Sequence, residues 1–188
     1  IFDRLVTKGE QKKMNTQRKN RVLFVVTNHG DLGDTGKKTG YFLREVSYPY
    51  KAVTEAGYSV DFVSPNGGPA PMDPNSNDMD DEVNKAFTDD SSIMDQLQNT
   101  MSPDQINPDD YDGIMYAGGH GTVWDFPDSE GLANIAISIY ERGGVLGAIC
   151  HGPAGLVNLK LSDGTHLISG KRFSSFTDEE ERSIKLEN

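Results

Sequence analysis

The stretch VLGAICHGPAGL, residues 145–156, decides the predicted fold because it joins a strand to a helix through a tight turn. Its first half, VLGAIC, is a short apolar run typical of a buried strand. Its second half, from His151 onward, favours the start of a helix. The only cysteine of the chain, Cys150, stands at the junction. Such an elbow lifts a nucleophilic side chain above a sheet, and Gly152 permits the turn that it needs.

Three further segments of the chain have the pattern of parallel strands. A helical segment follows the first of these three, and another follows the third. The strand-like segments are RVLFVVTNH (21–29), YSVDFVSP (58–65) and YDGIMYAGG (111–119). Helical spacing of apolar residues follows in TGYFLREVSYPYKAVTEAGY (39–58), and SEGLANIAISIYERGG (129–144) is amphipathic. Strands alternating with helices predict a doubly wound α/β fold, with a mainly parallel sheet and helices on both faces. The acidic segment 79–106 suits surface helices or a lid.

In such a sheet the ligand crevice lies beyond the carboxyl ends of the strands. His29, Gly118, Gly119 and Cys150 all stand at those ends. We therefore expect these four residues to meet at one edge of the sheet.

Length and composition indicate one globular domain at 21–188, preceded by a basic extension at 1–20. The chain has 188 residues and a net charge of −11, but residues 1–20 carry six Lys or Arg against two Asp or Glu. The remaining acidic body would repel phosphate backbones, which argues against nucleic-acid binding. No apolar run is long enough for a membrane span. A lone cysteine cannot form an internal disulfide, so we expect a cytoplasmic protein.

The position of Cys150 favours a reactive thiol. Backbone N–H groups at a helix start stabilise a thiolate and lower the pKa of the cysteine. The N–H groups of Gly119 and His151 are candidates for an oxyanion hole. The alternative is a buried packing residue, which is the commonest role of a lone cysteine.

Five segments together resemble the ThiJ/PfpI superfamily, in its heat-shock chaperone and glutathione-independent glyoxalase III branch. They are TGYFLREVSYPY, SPNGGPAPMDP, YAGGHGTVWDFP, GAICHGP and SSFTDEEE, in this order between residue 21 and about residue 181. The resemblance implies a flavodoxin-like fold without a cofactor, and a homodimer. It also implies that Cys150 is the nucleophile, His151 the adjacent histidine, Glu45 the acid against the thiol and Glu181 the acidic partner of His151.

Two features depart from the family pattern. Ser175 stands where the branch usually has glycine. Family members also continue with another strand and helix beyond the region matched by Asn188. We therefore expect either a fragment or a fold whose last C-terminal elements are absent, which leaves the placement of Glu181 open.

The resemblance suggests a reaction on a small 2-oxoaldehyde such as methylglyoxal, with lactate as product. Cys150 would form a hemithioacetal, and Glu45 or His151 would move a proton between the adjacent carbons. Neighbouring side chains at a turn usually diverge, so Glu45 is the better candidate. It has an alternative role as a solvated helix carboxylate paired with Arg44 or Lys51. The competing functions are a holdase chaperone, a cysteine peptidase or amidase, a deglycase of the same fold, and a descendant that has lost catalysis.

The remaining candidates line the pocket. Gly118 and Gly119 would bring backbone N–H groups to the substrate, His120 would stand at the entrance, and Trp124 would form a wall or simply pack. The four histidines of the chain lack H-E-x-x-H spacing, so we predict no metal site and no cofactor.

Overall fold

The computed structural model describes residues 19–183 of the chain. Its sheet has four parallel strands in the order β2-β1-β3-β4. The register pairs Val22 of β1 with Val60 of β2 and with Gly113 of β3, and pairs Gly113 with Val145 of β4. The strands are β1 (Arg21–Val25), β2 (Ser59–Val63), β3 (Gly113–Tyr116) and β4 (Val145–Ala148).

Helices cover both faces of this sheet, as predicted. In β1, Leu23 and Val25 point to one face, where they join a core with Ile135 and Ile139. Phe24 and Val26 point to the other face. The helices are α1 (Leu43–Glu55), α2 (Glu82–Asp89), α3 (Ser91–Gln98), α4 (Thr122–Asp125), α5 (Glu130–Glu141) and α6 (Asp178–Ser183). Helix α5 packs on the first face, while α1, α2 and α3 pack on the second.

The acidic segment 79–106 forms surface helices rather than a central element. Helices α2 and α3 each begin with an aspartate cap. The side chains of these aspartates, Asp81 and Asp90, accept hydrogen bonds from backbone N–H groups of the first helical turn. Phe87 and Leu97 of these helices are buried against the second face. This segment therefore closes the core on that side.

The predicted helix after Cys150 is wrong in type, because the segment is a short 3-10 helix at Gly152–Leu156. Its backbone crosses very close to β3. A Cβ atom at Gly152 would lie 2.4 Å from the Tyr116 carbonyl oxygen, and one at Gly155 would lie 2.6 Å from the Tyr116 ring. The two glycines permit this close approach between the 3-10 helix and β3.

Strand β4 is the edge of the sheet within residues 19–183, and Val145 is 72% exposed there. The expectation about missing C-terminal elements stays a prediction. Most of the predicted basic extension, residues 1–18, lies outside the described residues. Among the described helices, none is long and apolar enough to cross a membrane.

Candidate active site

Cys150 stands at a strained elbow after β4. Its φ is +54°, a left-handed conformation that a residue with a Cβ atom rarely adopts. The turn is closed by the Gly152 N–H, which donates to the Ile149 carbonyl at 2.7 Å. The Cys150 carbonyl accepts the Phe176 N–H at 3.3 Å. The surrounding hydrogen bonds hold the thiol-bearing residue in this conformation, as the sequence predicts for an elbow.

The side chains of Glu45 and Cys150 meet above Gly118. The Phe42 N–H donates to the Gly118 carbonyl at 3.0 Å and ties the start of α1 to the end of β3. A Cβ atom at Gly118 would lie 2.1 Å from Glu45 Oε2 and 2.8 Å from Cys150 Cβ. Only glycine leaves room for both side chains at this place. The solvated role of Glu45, paired with Arg44 or Lys51, is therefore not the one seen, since Arg44 instead pairs with Asp81.

Burial of the thiol raises the pKa of Cys150 to about 12, and the charge of Glu45 contributes to the rise. The N–H groups of His151 and Gly119 act in the opposite direction. The predicted lowering of this pKa is therefore wrong, because two amide dipoles at a short 3-10 helix do not offset burial beside a carboxylate. Burial also raises the pKa of Glu45, whose Oε2 is buried and forms no hydrogen bond of normal geometry.

His151 lies directly between the thiol and a carboxylate. Its Nδ1 is 3.1 Å from Cys150 Sγ, and its Nε2 is 2.6 Å from Glu181 Oε1. Burial lowers the pKa of His151, and the hydrogen bond to Glu181 partly counters this effect. The neighbouring side chains of Cys150 and His151 converge because the positive φ of Cys150 turns the chain sharply.

Glu181 is held in place by the local sequence of α6. Thr177 and Glu180 form a reciprocal cap: the Glu180 N–H donates to Thr177 Oγ1 at 3.3 Å, and the Thr177 N–H donates to Glu180 Oε2 at 2.8 Å. The capped turn directs Glu181 toward the crevice. There, Oε2 also lies 3.3 Å from His120 Nε2. The structure thus places Glu181 in contact with both His151 and His120.

The other predicted site residues lie around the side chains of Cys150, Glu45 and His151. Gly119 has a φ of +109°, and a Cβ atom there would lie 2.1 Å from the Gly40 carbonyl oxygen. The His120 ring is tilted against the His151 ring at 4.2 Å between centroids. Trp124 is 44% exposed and stacks on His29 at 4.8 Å, so it does not pack into the core.

Phe176 is a site residue that sequence reasoning missed. It stacks on the His151 ring at 4.4 Å and shields it from solvent, and nothing in the local sequence indicates this contact. Asp125 is half-buried, and its Oδ2 accepts hydrogen bonds from Thr27 Oγ1 and the Asn28 N–H at 2.8 Å each. Burial raises the pKa of Asp125. Asp125 therefore fixes the end of β1.

The sequence comparisons agree with this geometry. A sequence profile described as the DJ-1/PfpI family matches residues 39–181. The chain belongs to the DJ-1/PfpI family. The match spans the segments that bear Glu45, Gly118, Cys150 and Glu181.

Several DJ-1/PfpI relatives are similar over most of the chain. The glutathione-independent glyoxalase HSP31 of Saccharomyces cerevisiae is 37% identical over 84% of this chain and 69% of its own. Crystal structures give the same picture. Glyoxalase III of Candida albicans is 33% identical with a TM-score of 0.81, over 89% of this chain and 72% of that one. The Rapid Encystment Protein 24 KDa of Francisella tularensis is 38% identical with a TM-score of 0.84, over 88% and 74% respectively.

Proposed function

We propose that this DJ-1/PfpI protein is a glutathione-independent glyoxalase that converts methylglyoxal and water to lactate, with Cys150 as the nucleophile. The observation that carries the proposal is the meeting of three groups: the Cys150 thiol faces the Glu45 carboxyl group and lies 3.1 Å from His151 Nδ1. A nucleophile, an acid and a base within reach of one carbon are what this isomerisation needs. Two relatives support the proposal, since HSP31 of Saccharomyces cerevisiae is named a glutathione-independent glyoxalase and the Candida albicans protein is named glyoxalase III.

The first step is attack of sulfur on the aldehyde carbon. The reactive form of the pair has its proton on Glu45 and its negative charge on sulfur, where the N–H groups of His151 and Gly119 stabilise it. A new C–S bond forms, and the aldehyde oxygen takes the proton from Glu45. The product is a hemithioacetal, and Glu45 is left as a carboxylate.

The second step is proton transfer between adjacent carbons. The Glu45 carboxylate removes the proton from the former aldehyde carbon, which gives an enediolate. The hydroxyl proton on that carbon's oxygen passes to the oxygen of the neighbouring carbon, and Glu45 then returns its own proton to the neighbouring carbon. The result is a thioester of a 2-hydroxy acid. Because the proton moves between two carbons of the same substrate molecule, the reaction needs no external hydride donor.

Hydrolysis of the thioester completes the cycle. His151 is neutral when its pKa is lowered, so its Nδ1 can accept a proton from an attacking water. Glu181 stabilises the imidazolium that forms through its contact at Nε2. The oxyanion faces the N–H groups of Gly119 and His151, and the C–S bond breaks to release lactic acid and the Cys150 thiolate. Of the two protons then held by His151 and lactic acid, one returns to Glu45 and the other leaves to solvent.

His120 and Trp124 complete the proposed substrate site, with Gly118 as the floor on which the reacting side chains meet. We further propose a cytoplasmic homodimer that needs no cofactor for this reaction. The single domain at 21–188 is part of the same proposal.

The direct test measures lactate formed from methylglyoxal without glutathione. We expect Cys150→Ala to abolish lactate formation, while the exposed control Ser174→Ala retains it. Deuterium oxide tests the proton transfer, since a proton that Glu45 carries can exchange with solvent and place deuterium on the carbon that bears the hydroxyl group of lactate. If the wild-type protein forms no lactate but suppresses client aggregation equally with and without Cys150, a chaperone replaces the glyoxalase as the function.

A further inference from the structure

Three side chains from separate segments place metal-ligating atoms together beside the proposed nucleophile. They are His120, His151 and Glu181, and their ligand atoms all lie within 4.8 Å of one another. We propose that these residues form a site for a zinc-class divalent transition metal ion, and that an ion bound there switches off the chemistry of Cys150 by occupying His151. The metal-binding part of this inference is independent of the proposed reaction, because it is measured without substrate, whereas the loss of Cys150 chemistry rests on the proposed function.

The three side chains could hold a tetrahedral ion after small movements of their ligand atoms. The Nε2 atoms of both histidines point at one carboxylate, His151 at Oε1 with 2.6 Å and His120 at Oε2 with 3.3 Å. An ion with bonds of about 2.1 Å holds neighbouring ligands about 3.4 Å apart. An ion would therefore part His151 from Glu181 by less than about 1 Å, and would bring ligand atoms that lie up to 4.8 Å apart closer by about 1.4 Å. Two histidines and one glutamate leave a fourth position for water or another small ligand.

The ligand set selects the class of metal. Imidazole nitrogen suits zinc, copper, nickel and cobalt, whereas magnesium and calcium prefer oxygen ligands throughout. His151 is also oriented for the role, because its other nitrogen, Nδ1, already faces Cys150 Sγ at 3.1 Å. Phe176 stacks on its ring and limits rotation.

Metal binding rearranges one proton at His151. In the metal-free protein Nε2 faces a carboxylate oxygen of Glu181, which favours the ring proton on Nε2, while Nδ1 faces Cys150 Sγ. A metal ion needs the Nε2 lone pair, so the ring proton leaves Nε2 and Nδ1 takes up a proton by exchange with solvent. His151 then donates to sulfur and can no longer accept a proton from water, and Glu181 is bound to the ion. The hydrolytic role of both residues is therefore lost.

The test uses Co²⁺, whose visible absorption reports the number and type of its ligands, with the purified protein without substrate. We expect one equivalent of Co²⁺ to give the intense bands of a tetrahedral or five-coordinate ion, and Zn²⁺ to displace it. His120→Ala and Glu181→Gln should each weaken binding at least about tenfold. The control His166→Ala, an exposed histidine outside the cluster, should bind as wild type.

Cys150→Ser separates this site from capture by the thiol. Because sulfur faces the opposite nitrogen of His151, that variant should keep the Co²⁺ spectrum, without sulfur-to-metal charge-transfer bands in either protein. Absence of visible bands in the folded wild type, an unchanged spectrum in both His120→Ala and Glu181→Gln, or loss of binding in Cys150→Ser would each overturn the assignment. Circular dichroism of each variant shows whether it is folded.

Discussion

The carboxyl group of Glu45 faces the thiol of Cys150, and burial raises the pKa of both groups. Two acids in contact within a buried space do not both ionise readily. One proton is therefore shared by the pair near neutral pH, and the thiolate exists when Glu45 holds that proton. In the proposed mechanism, the thiolate therefore forms by proton transfer from Cys150 to Glu45 rather than through a helix dipole.

Glu45→Gln should separate the reactivity of the thiol from catalysis. Glutamine keeps the shape of the side chain but removes the charge that opposes the thiolate, so the pKa of Cys150 should be lower in this variant than in the wild type. The midpoint of alkylation by iodoacetamide should move to lower pH, and it reports one site because the chain has one cysteine. Lactate formation should fall about 10²- to 10⁴-fold, since the proton carrier is lost.

The matched control is Glu55→Gln, at the end of the same helix, where the carboxylate pairs with Lys51 at 3.9 Å on the surface. Glu55→Gln should change neither the pH midpoint of alkylation nor the rate of lactate formation. An alkylation midpoint that stays put or rises in Glu45→Gln would mean that Glu45 does not oppose the thiolate, and the shared-proton account would then be abandoned.

Gly118→Ala should disable the site, because the added methyl group would displace the reacting side chains. The new methyl group would meet Glu45 Oε2 at 2.1 Å and Cys150 Cβ at 2.8 Å, so at least one of the two side chains must move. We expect a loss of about 1–3 kcal/mol in the free energy of unfolding, as for overpacked sites, and loss of activity. Gly36→Ala is the control, because its Cβ would meet nothing within 4 Å, although its φ of +72° still costs some stability. Full activity in Gly118→Ala would contradict the packing described.

Local pattern predicted the sheet, because the strands are short apolar runs, and in β1 the residues alternate between two buried faces. Leu23 and Phe24, for example, reach opposite cores through the pleat alone. The elbow at Cys150 followed from the strand and glycine pattern of the same segment. The site residues Glu45 and Glu181 came instead from the family resemblance, since helix periodicity left Glu45 with two roles.

What the sequence did not predict depends on contacts between distant segments. The pKa of Cys150 is set by burial and by Glu45, and neither is visible around residue 150. The cluster of His120, His151 and Glu181 joins three segments and matches no spacing rule for metals. The 3-10 helix after the elbow runs directly against the Tyr116 ring from β3, a contact that the sequence does not show. Tertiary packing, rather than local propensity, decides each of these features.

Glu181→Gln should shift the acid side of the pH–rate profile. Burial lowers the pKa of His151, and Glu181 raises it through its hydrogen bond and charge. Without that charge the pKa of His151 falls further, so His151 stays neutral to lower pH and the acid limb of kcat moves down in pH. The maximal rate should also fall, because the imidazolium formed during hydrolysis loses its partner. The exposed control Glu179→Gln should leave the profile in place, and an acid limb that rises or stays fixed in Glu181→Gln would argue against His151 as the base.

Cys150→Gly should be more stable than Cys150→Ala, although both are inactive. Alanine keeps the Cβ atom at a φ of +54°, which costs roughly 1–2 kcal/mol, whereas glycine adopts this conformation freely. Glycine also gains freedom in the unfolded chain, which offsets part of this difference, so the net advantage should be roughly 0.5–1 kcal/mol. Urea unfolding followed by circular dichroism measures it. Gly36→Ala provides the inverse comparison at a φ of +72° with open space around the Cβ, and should be destabilised by a similar amount. If Cys150→Ala proves as stable as Cys150→Gly, the elbow stores no backbone strain, and the thiol is held in place by its side-chain contacts alone.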